Sequence, residues 1–184
     1  MQSRANRGME PLSRDRWQAT NDQLRVNSLR TEQQDAAREG LREHLGRDLT
    51  DNNRGTVVQR TVTDPKTGDP VKTRPDSIGR NDDGKIDLAH DHKDLSGDDE
   101  VQNNDSQMRA QRILLEDPDG RHVVTLSSND PNLSSGPEVA SEPRPTGPLA
   151  RQSVVSFTDE SGRVTRRWRP DSDLPGGGSW EPVD

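Results

Sequence analysis

The order and spacing of apolar residues predict a mixed α/β (α+β) fold, in which helices flank a mixed sheet and a β-hairpin closes the chain. Helical spacing marks two segments: Ala37, Leu41 and Leu45 recur every four residues, and Met108 and Leu115 lie two turns apart on a second stretch. Short β-branched runs separated by Gly, Pro, Asn and Asp mark the strands. Their order is helix, three strands, helix, strand and hairpin, which implies a sheet covered by helices.

The elements follow from local signals. Residues 1–29 are polar and Arg-rich and read as a leader or a loosely packed helix. Thr31 and Gln34 form a capping box that opens a helix over 31–46, and Gly46 closes it. TVVQRTV (56–62), the breaker-rich DPKTGDP and VKTRPDSI (71–78) form a candidate hairpin. GRNDDG leads to a third strand, KIDLAH (85–90), after which HDHKDLSGDD reads as a polar connection. A second helix is predicted over 101–116, and RHVVTLSS (121–128) reads as a strand buried on both faces. Residues 129–150, rich in Pro and Ser, read as a loop. SVVSFT (153–158) and RVTRRWRP (163–170) form an accessory hairpin over 151–170, and 171–184 is a flexible tail unless Trp180 docks.

Composition sets narrow bounds. Of the 184 residues 24% are hydrophobic and 32% charged, with no Tyr, no Cys, one Phe and three Trp. That lies near the border of disorder, so the core must be small, on the order of 100 residues wrapped in polar loops. A mostly disordered adaptor is the limiting alternative. Without Cys there is neither a disulfide framework nor a thiolate zinc site. No run of about 18 apolar residues marks a membrane span, and the first residues lack the apolar region of a signal peptide. Export is expected to need dedicated machinery or a removed upstream region.

The formal net charge of −7 opposes a nucleic-acid ligand, but the charge is uneven. Acids outnumber Lys plus Arg by ten to three between Asp76 and Asp105, whereas Arg163, Arg166, Arg167 and Arg169 cluster near the C-terminus. An acidic metal pocket beside a basic rim produces this pattern, and so does an ordinary solvated surface.

The densest chemistry lies in TRPDSIGRNDDGKIDLAHDHK (73–93). Asp76 ends one predicted strand, and Asp87 follows eleven positions later on the next. Two carboxylates on neighbouring strands, completed by substrate oxygens and water, suit Mg²⁺. Residues i and i+2 of a strand share a face about 6.6 Å apart, so position 89 looks into the same space as Asp87.

On these residues the chain resembles the PD-(D/E)XK nuclease superfamily, in the form found in toxin domains of bacterial polymorphic toxins. The likeness spans roughly residues 31–128 and implies a restriction-endonuclease-like core, helix–three strands–helix–strand. It also implies Mg²⁺ (or Mn²⁺) as cofactor and nucleic acid, DNA in preference to RNA, as substrate. Pro75-Asp76 matches the PD element, and the preferred match for (D/E)xK is Asp87-Leu88-Ala89. Asp76 and Asp87 would hold the metal, and Ala89 stands where the resemblance expects a lysine. The chain is therefore expected to be a catalytically inactivated form, engineered or natural. A second register, Asp91-His92-Lys93, contains the lysine in more polar surroundings. Asp87 and Lys93 cannot serve one site on a regular strand, since six residues span about 20 Å.

The resemblance also implies a helix-one Glu, matched by Glu39 with Glu43 as the other choice, and an early helix-two Gln, matched by Gln107. HDHKD raises a His-metal nuclease as an alternative, but QMRAQRILLE lacks the further His or Asn ligand. His90 and His92 are accordingly read as loop residues, and His44 and His122 as structural. Arg166, Arg167, Trp168 and Arg169 suit phosphate contact with a stacked base, or equally an edge-strand Arg ladder. The implied partners are a cognate immunity protein over the basic hairpin and a delivery machinery, with no membrane, for a translocated effector acting in the target-cell cytoplasm. A non-catalytic pseudonuclease that binds nucleic acid or protein is the reading from another class.

Overall fold

The computed structural model describes residues 13–95, 101–128, 143–171, 173–174 and 176–183. In chain order the elements are α1 (Arg14–Leu45), β1 (Thr50–Asp51), β2 (Arg60–Thr63), β3 (Pro70–Thr73), β4 (Ser77–Arg80) and β5 (Ile86–Asp94). Then come β6 (Val101–Gln102), α2 (Ser106–Ile113), β7 (Arg121–Ser127), β8 (Arg144–Pro145), α3 (Gly147–Gln152), β9 (Val154–Thr158), β10 (Val164–Pro170) and β11 (Gly178–Pro182).

Seven strands form one mixed sheet in the order β1-β4-β5-β7-β9-β10-β11. Its centre is parallel, β5 to β7 and β7 to β9, while β4–β5, β9–β10 and β10–β11 are antiparallel. The alternation of side chains along β7 defines the layers. Val123 joins Leu41, Leu49, Leu88 and Val164 in a cluster beneath α1. Val124 and Leu126 face the other way, with Leu95, Met108, Leu149, Val155 and Trp168 beneath α2 and α3. As its apolar run predicts, β7 is buried on both faces.

Several boundaries differ from the sequence expectation, each for a physical reason. The first helix begins at Ser13–Arg14, not at Thr31, whose hydroxyl instead donates to the Asn27 carbonyl 2.9 Å away inside the helix. Its early turns are a loosely packed helix with Trp17 and Leu24 exposed, and Gly46 closes it in the left-handed conformation at φ 62°. Of the described residues in 56–62, only 60–62 are strand, and they lie in a separate two-stranded hairpin with β3 rather than in the main sheet. The predicted strand 71–78 is two strands, because Pro75 lacks the N–H a ladder needs and the chain turns there into the main sheet. The second helix is shorter than 101–116 and starts at an N-cap: Asp105 accepts from the Met108 N–H at 2.8 Å.

The C-terminal half is more integrated than the composition suggests. Of the expected loop 129–150, residues 129–142 lie outside the described residues, and the remainder includes β8 and the start of α3. The hairpin is not an accessory, since β9 pairs with β7. Residues 178–182 are a strand rather than a flexible tail: Trp180 packs edge-on against Trp168 and Phe157, with centroids 5.4 and 6.0 Å away, and donates to the Pro143 carbonyl at 2.8 Å. One close approach ties α1 to the sheet. A Cβ on Gly40 would sit 2.0 Å from the Gly162 carbonyl oxygen, so helix backbone meets the β9–β10 turn with no room for a side chain.

Candidate functional site

The Pro75-Asp76 corner is held by one buried side chain. Asn52, 1% exposed, donates through Nδ2 to the Pro75 carbonyl (2.8 Å), and its backbone N–H donates to the Asp76 carbonyl (2.9 Å). Asp76 then joins the edge of β5, its N–H donating to the His90 carbonyl (2.9 Å) and its Oδ2 accepting from the His92 N–H (2.8 Å). These bonds set Asp76 opposite residues 90–92 rather than opposite Asp87.

The structure therefore brings the second register to Asp76. Asp91, 5% exposed, lies within 2.6 Å of the Lys93 Nζ through Oδ2 and accepts from the Gln111 Nε2 (2.9 Å) through Oδ1. Burial, reinforced by the nearby Asp91 charge, pushes the Asp76 carboxyl up to about 6. Burial opposes the Asp91 charge most strongly, yet Lys93 and then Gln111 hold its pKa below the ordinary value. Burial also opposes the Lys93 ammonium, which Asp91, and after it Asp76 and Asp105, hold above its ordinary value. The cluster is one strong ion pair with a second carboxylate that ionises reluctantly.

Gln111 is oriented from behind by a directional chain of hydrogen bonds. An ionised carboxylate only accepts, so the Gln111 amide nitrogen faces Asp91 and its Oε1 must accept from elsewhere. His122 Nε2 supplies that proton at 2.7 Å, which leaves Nδ1 to accept from the Ser153 hydroxyl at 2.8 Å. Ser153 Oγ in turn accepts from the Arg112 Nη1 at 2.9 Å. Burial lowers the His122 pKa to about 4, so the ring is neutral at physiological pH, as a single donor and single acceptor require. Every donor in Arg112–Ser153–His122–Gln111–Asp91 points toward the carboxylate.

The same strand explains why the sequence pointed elsewhere. β5 does not stop at His90 but runs to Asp94, and His90 and His92 lie inside it, buried, rather than in a loop. Partners satisfy them. His90 bonds Ser77 Oγ (2.7 Å) and Thr125 Oγ1 (2.8 Å), while His92 bonds Thr125 Oγ1 (2.8 Å) and Asp94 Oδ1 (3.0 Å). Burial brings the His90 pKa to about 3. Polar residues that find such partners can occupy a central strand that hydropathy alone would end.

The preferred residues Asp87 and Ala89 do not join the cluster. The register steps from Leu88 opposite Gly79 to Ile86 opposite Arg80, which makes Asp87 the extra residue of a β-bulge. Its carboxylate is clamped by Arg47 at 2.7 and 2.8 Å, and it lies four residues from Asp91, about 13 Å along the strand. Ala89 is fully buried core. Lys93 lies beside Asp91, so the register that faces Asp76 is Asp91-His92-Lys93 rather than Asp87-Leu88-Ala89. Glu39 is exposed and pairs with Arg42 at 2.8 Å, outside the site. Gln107 precedes by one turn the glutamine that does reach Asp91.

The arginine run divides. Trp168, 7% exposed, is core and cannot present a face to a base. Arg166 stacks over Phe157, 4.7 Å from its centroid, and Arg169 pairs with Glu181 at 2.8 Å. Among the described residues no group of three His, Cys, Asp or Glu side chains is arranged to hold a metal, so a cation here would rest on Asp76 and Asp91 with oxygens from substrate and water. No helix among them is long and apolar enough to cross a membrane. Compared with family models, curated proteins and solved structures, the chain matches none.

Proposed function

We propose that this chain is a metal-dependent nuclease of the PD-(D/E)XK kind, with Asp76, Asp91 and Lys93 in the motif positions and Gln111 as the residue that orients Asp91. The observation that carries the reading is the convergence of a buried carboxylate, a half-buried one and one lysine, with Asp76 raised to about 6 and Asp91 lowered. Opposed perturbation of paired acids is typical of functional sites. The order α1, β4, β5, α2, β7 supports a restriction-endonuclease-like core.

Mg²⁺ fits this donor set, being a hard cation held by one or two carboxylates together with phosphate oxygens and water. Bound there, it would polarise the phosphodiester and acidify the attacking water. Asp76 and Asp91 would hold it, each already fixed by a backbone N–H or an amide. Lys93, positioned by Asp91 Oδ2, offers an ammonium that stays charged to high pH to orient water and offset charge on the phosphate oxygens. The same proposal takes DNA as substrate and the setting to be a translocated toxin with a cognate immunity protein.

The test joins cleavage to binding. Purified protein with Mg²⁺ is expected to degrade DNA, and Lys93→Met to lower the rate by about 10²–10⁴-fold while Mn²⁺ binding by calorimetry persists. Asp76→Asn and Asp91→Asn should each remove the Mn²⁺ heat. A folded protein that neither binds Mn²⁺ nor cleaves DNA or RNA would end the proposal.

A further inference from the structure

Where β7 and β9 begin and β10 ends, the sheet opens into a cavity of about 460 Å³. Arg112, Arg121, Arg151, Arg167 and Arg169 line it, and among the described residues no carboxylate does. Arg169 is paired with Glu181, and Arg112 is held by Ser153, Asn104 and Gln152. Arg121, Arg151 and Arg167 make no side-chain hydrogen bond or ion pair with any described residue. The chain carries 33 acids against 26 basic residues, and elsewhere in the fold Arg42, Arg47, Arg54, Arg60 and Arg109 each have a carboxylate partner. In the cavity wall, Trp168 carries an indole N–H that is buried with no acceptor among the described residues.

Donors and positive charge therefore crowd one concave space, and their mutual repulsion is relieved by an anion. Guanidinium forks match phosphate oxygens in two-point contacts. The volume lies within the range of small-ligand sites, roughly 300–1,000 Å³, and accommodates a mononucleotide. We propose that this cavity is a separate binding site for the phosphoryl group of a nucleotide-sized ligand. Arg112, His122 and Ser153 in its wall also form the chain behind Gln111, but the cavity does not include the acidic cluster: Asp91 and Lys93 are in register with Val124 and Leu126, whereas the cavity opens at Arg121, about 10 Å or more back along β7. The site rests on these arginines alone and does not require the nuclease reading.

A free nucleotide, inorganic phosphate and the phosphodiester of a strand share this chemistry, and titration distinguishes them. Calorimetry in EDTA at low salt, with inorganic phosphate, adenosine monophosphate and a short single-stranded oligodeoxynucleotide as probes, keeps the acidic cluster silent. The monophosphate is expected to bind, at least about tenfold more weakly in the Arg151→Gln/Arg167→Gln double variant, and unchanged by Asp76→Asn. Arg121→Gln should weaken it in the same direction. Tighter binding of the oligonucleotide, displaced by the monophosphate, assigns the site to a strand. Monophosphate binding without the oligonucleotide assigns it to a free nucleotide, and equal affinity for phosphate assigns it to the phosphoryl group alone. If none of the probes binds, or the folded double variant binds as tightly as the parent, the site is overturned.

Discussion

Replacing Asp76 by Asn should stabilise this protein, and only above a defined pH. The carboxyl ionises at about 6 in the fold against an ordinary value of 3.8, chiefly because it is buried and secondarily because Asp91 is near. The folded state thus holds a proton that the unfolded state has released. Below about pH 4 both states are protonated and the stability is fully present; it is lost as pH rises through 6. About two pKa units at 1.36 kcal/mol each set the loss at roughly 3 kcal/mol, shared with Asp91 because the two titrate together. Asn keeps an acceptor for the His92 N–H, now 2.8 Å from Oδ2, and carries no charge. Urea unfolding in EDTA should therefore show parent and variant nearly equal at pH 4. By pH 7–8 the variant should lead by about 2–3 kcal/mol, or roughly 4–12 °C in Tm for a chain of this size. Mg²⁺ should then stabilise the parent and not the variant. A stability difference that is flat with pH, or a variant weaker than the parent at pH 8, would refute the electrostatic account of this site.

Three further outcomes follow from named contacts. Lys93→Gln leaves Asp91 buried without its counter-charge and should cost about 2–3 kcal/mol at pH 8, less than for a fully buried pair because 35% of the Lys93 side chain is exposed; the loss should shrink below about pH 5, measured by denaturant titration. Ala89→Lys places an unpaired charge in the core, so it should destabilise by about 3 kcal/mol or more and bring no gain in cleavage; a stable, more active variant would restore the Asp87 register. Gly40→Ala improves helix propensity by about 1 kcal/mol, but its Cβ would lie 2.0 Å from the Gly162 carbonyl oxygen, so melting should show a net loss of about 1–3 kcal/mol.

The sequence by itself determined the mixed α/β class, the closing of α1 at Gly46 and the doubly buried β7. The last two rest on local signals that context does not override: an αL glycine and an unbroken apolar run. It also contained Asp91 and Lys93, but set them aside because a run of His and Asp looked too polar for a central strand. Only the tertiary structure shows Ser77 and Thr125 satisfying those histidines from other strands, with Asp94 two residues along β5 completing His92. Register was likewise beyond local reading, since the bulge at Asp87 and the pairing of Asp76 with His90 depend on how two strands meet. Gln111 rather than Gln107 reaches Asp91, a difference of one helical turn that depends on how α2 seats against the sheet. Trp180, in a tail of Gly and Pro, became part of the sheet because Trp168 and Phe157 offered it an apolar surface. Local chemistry names an element and its ends; the partners that make a buried polar residue tolerable come from distant parts of the chain, and they decided where this site lies.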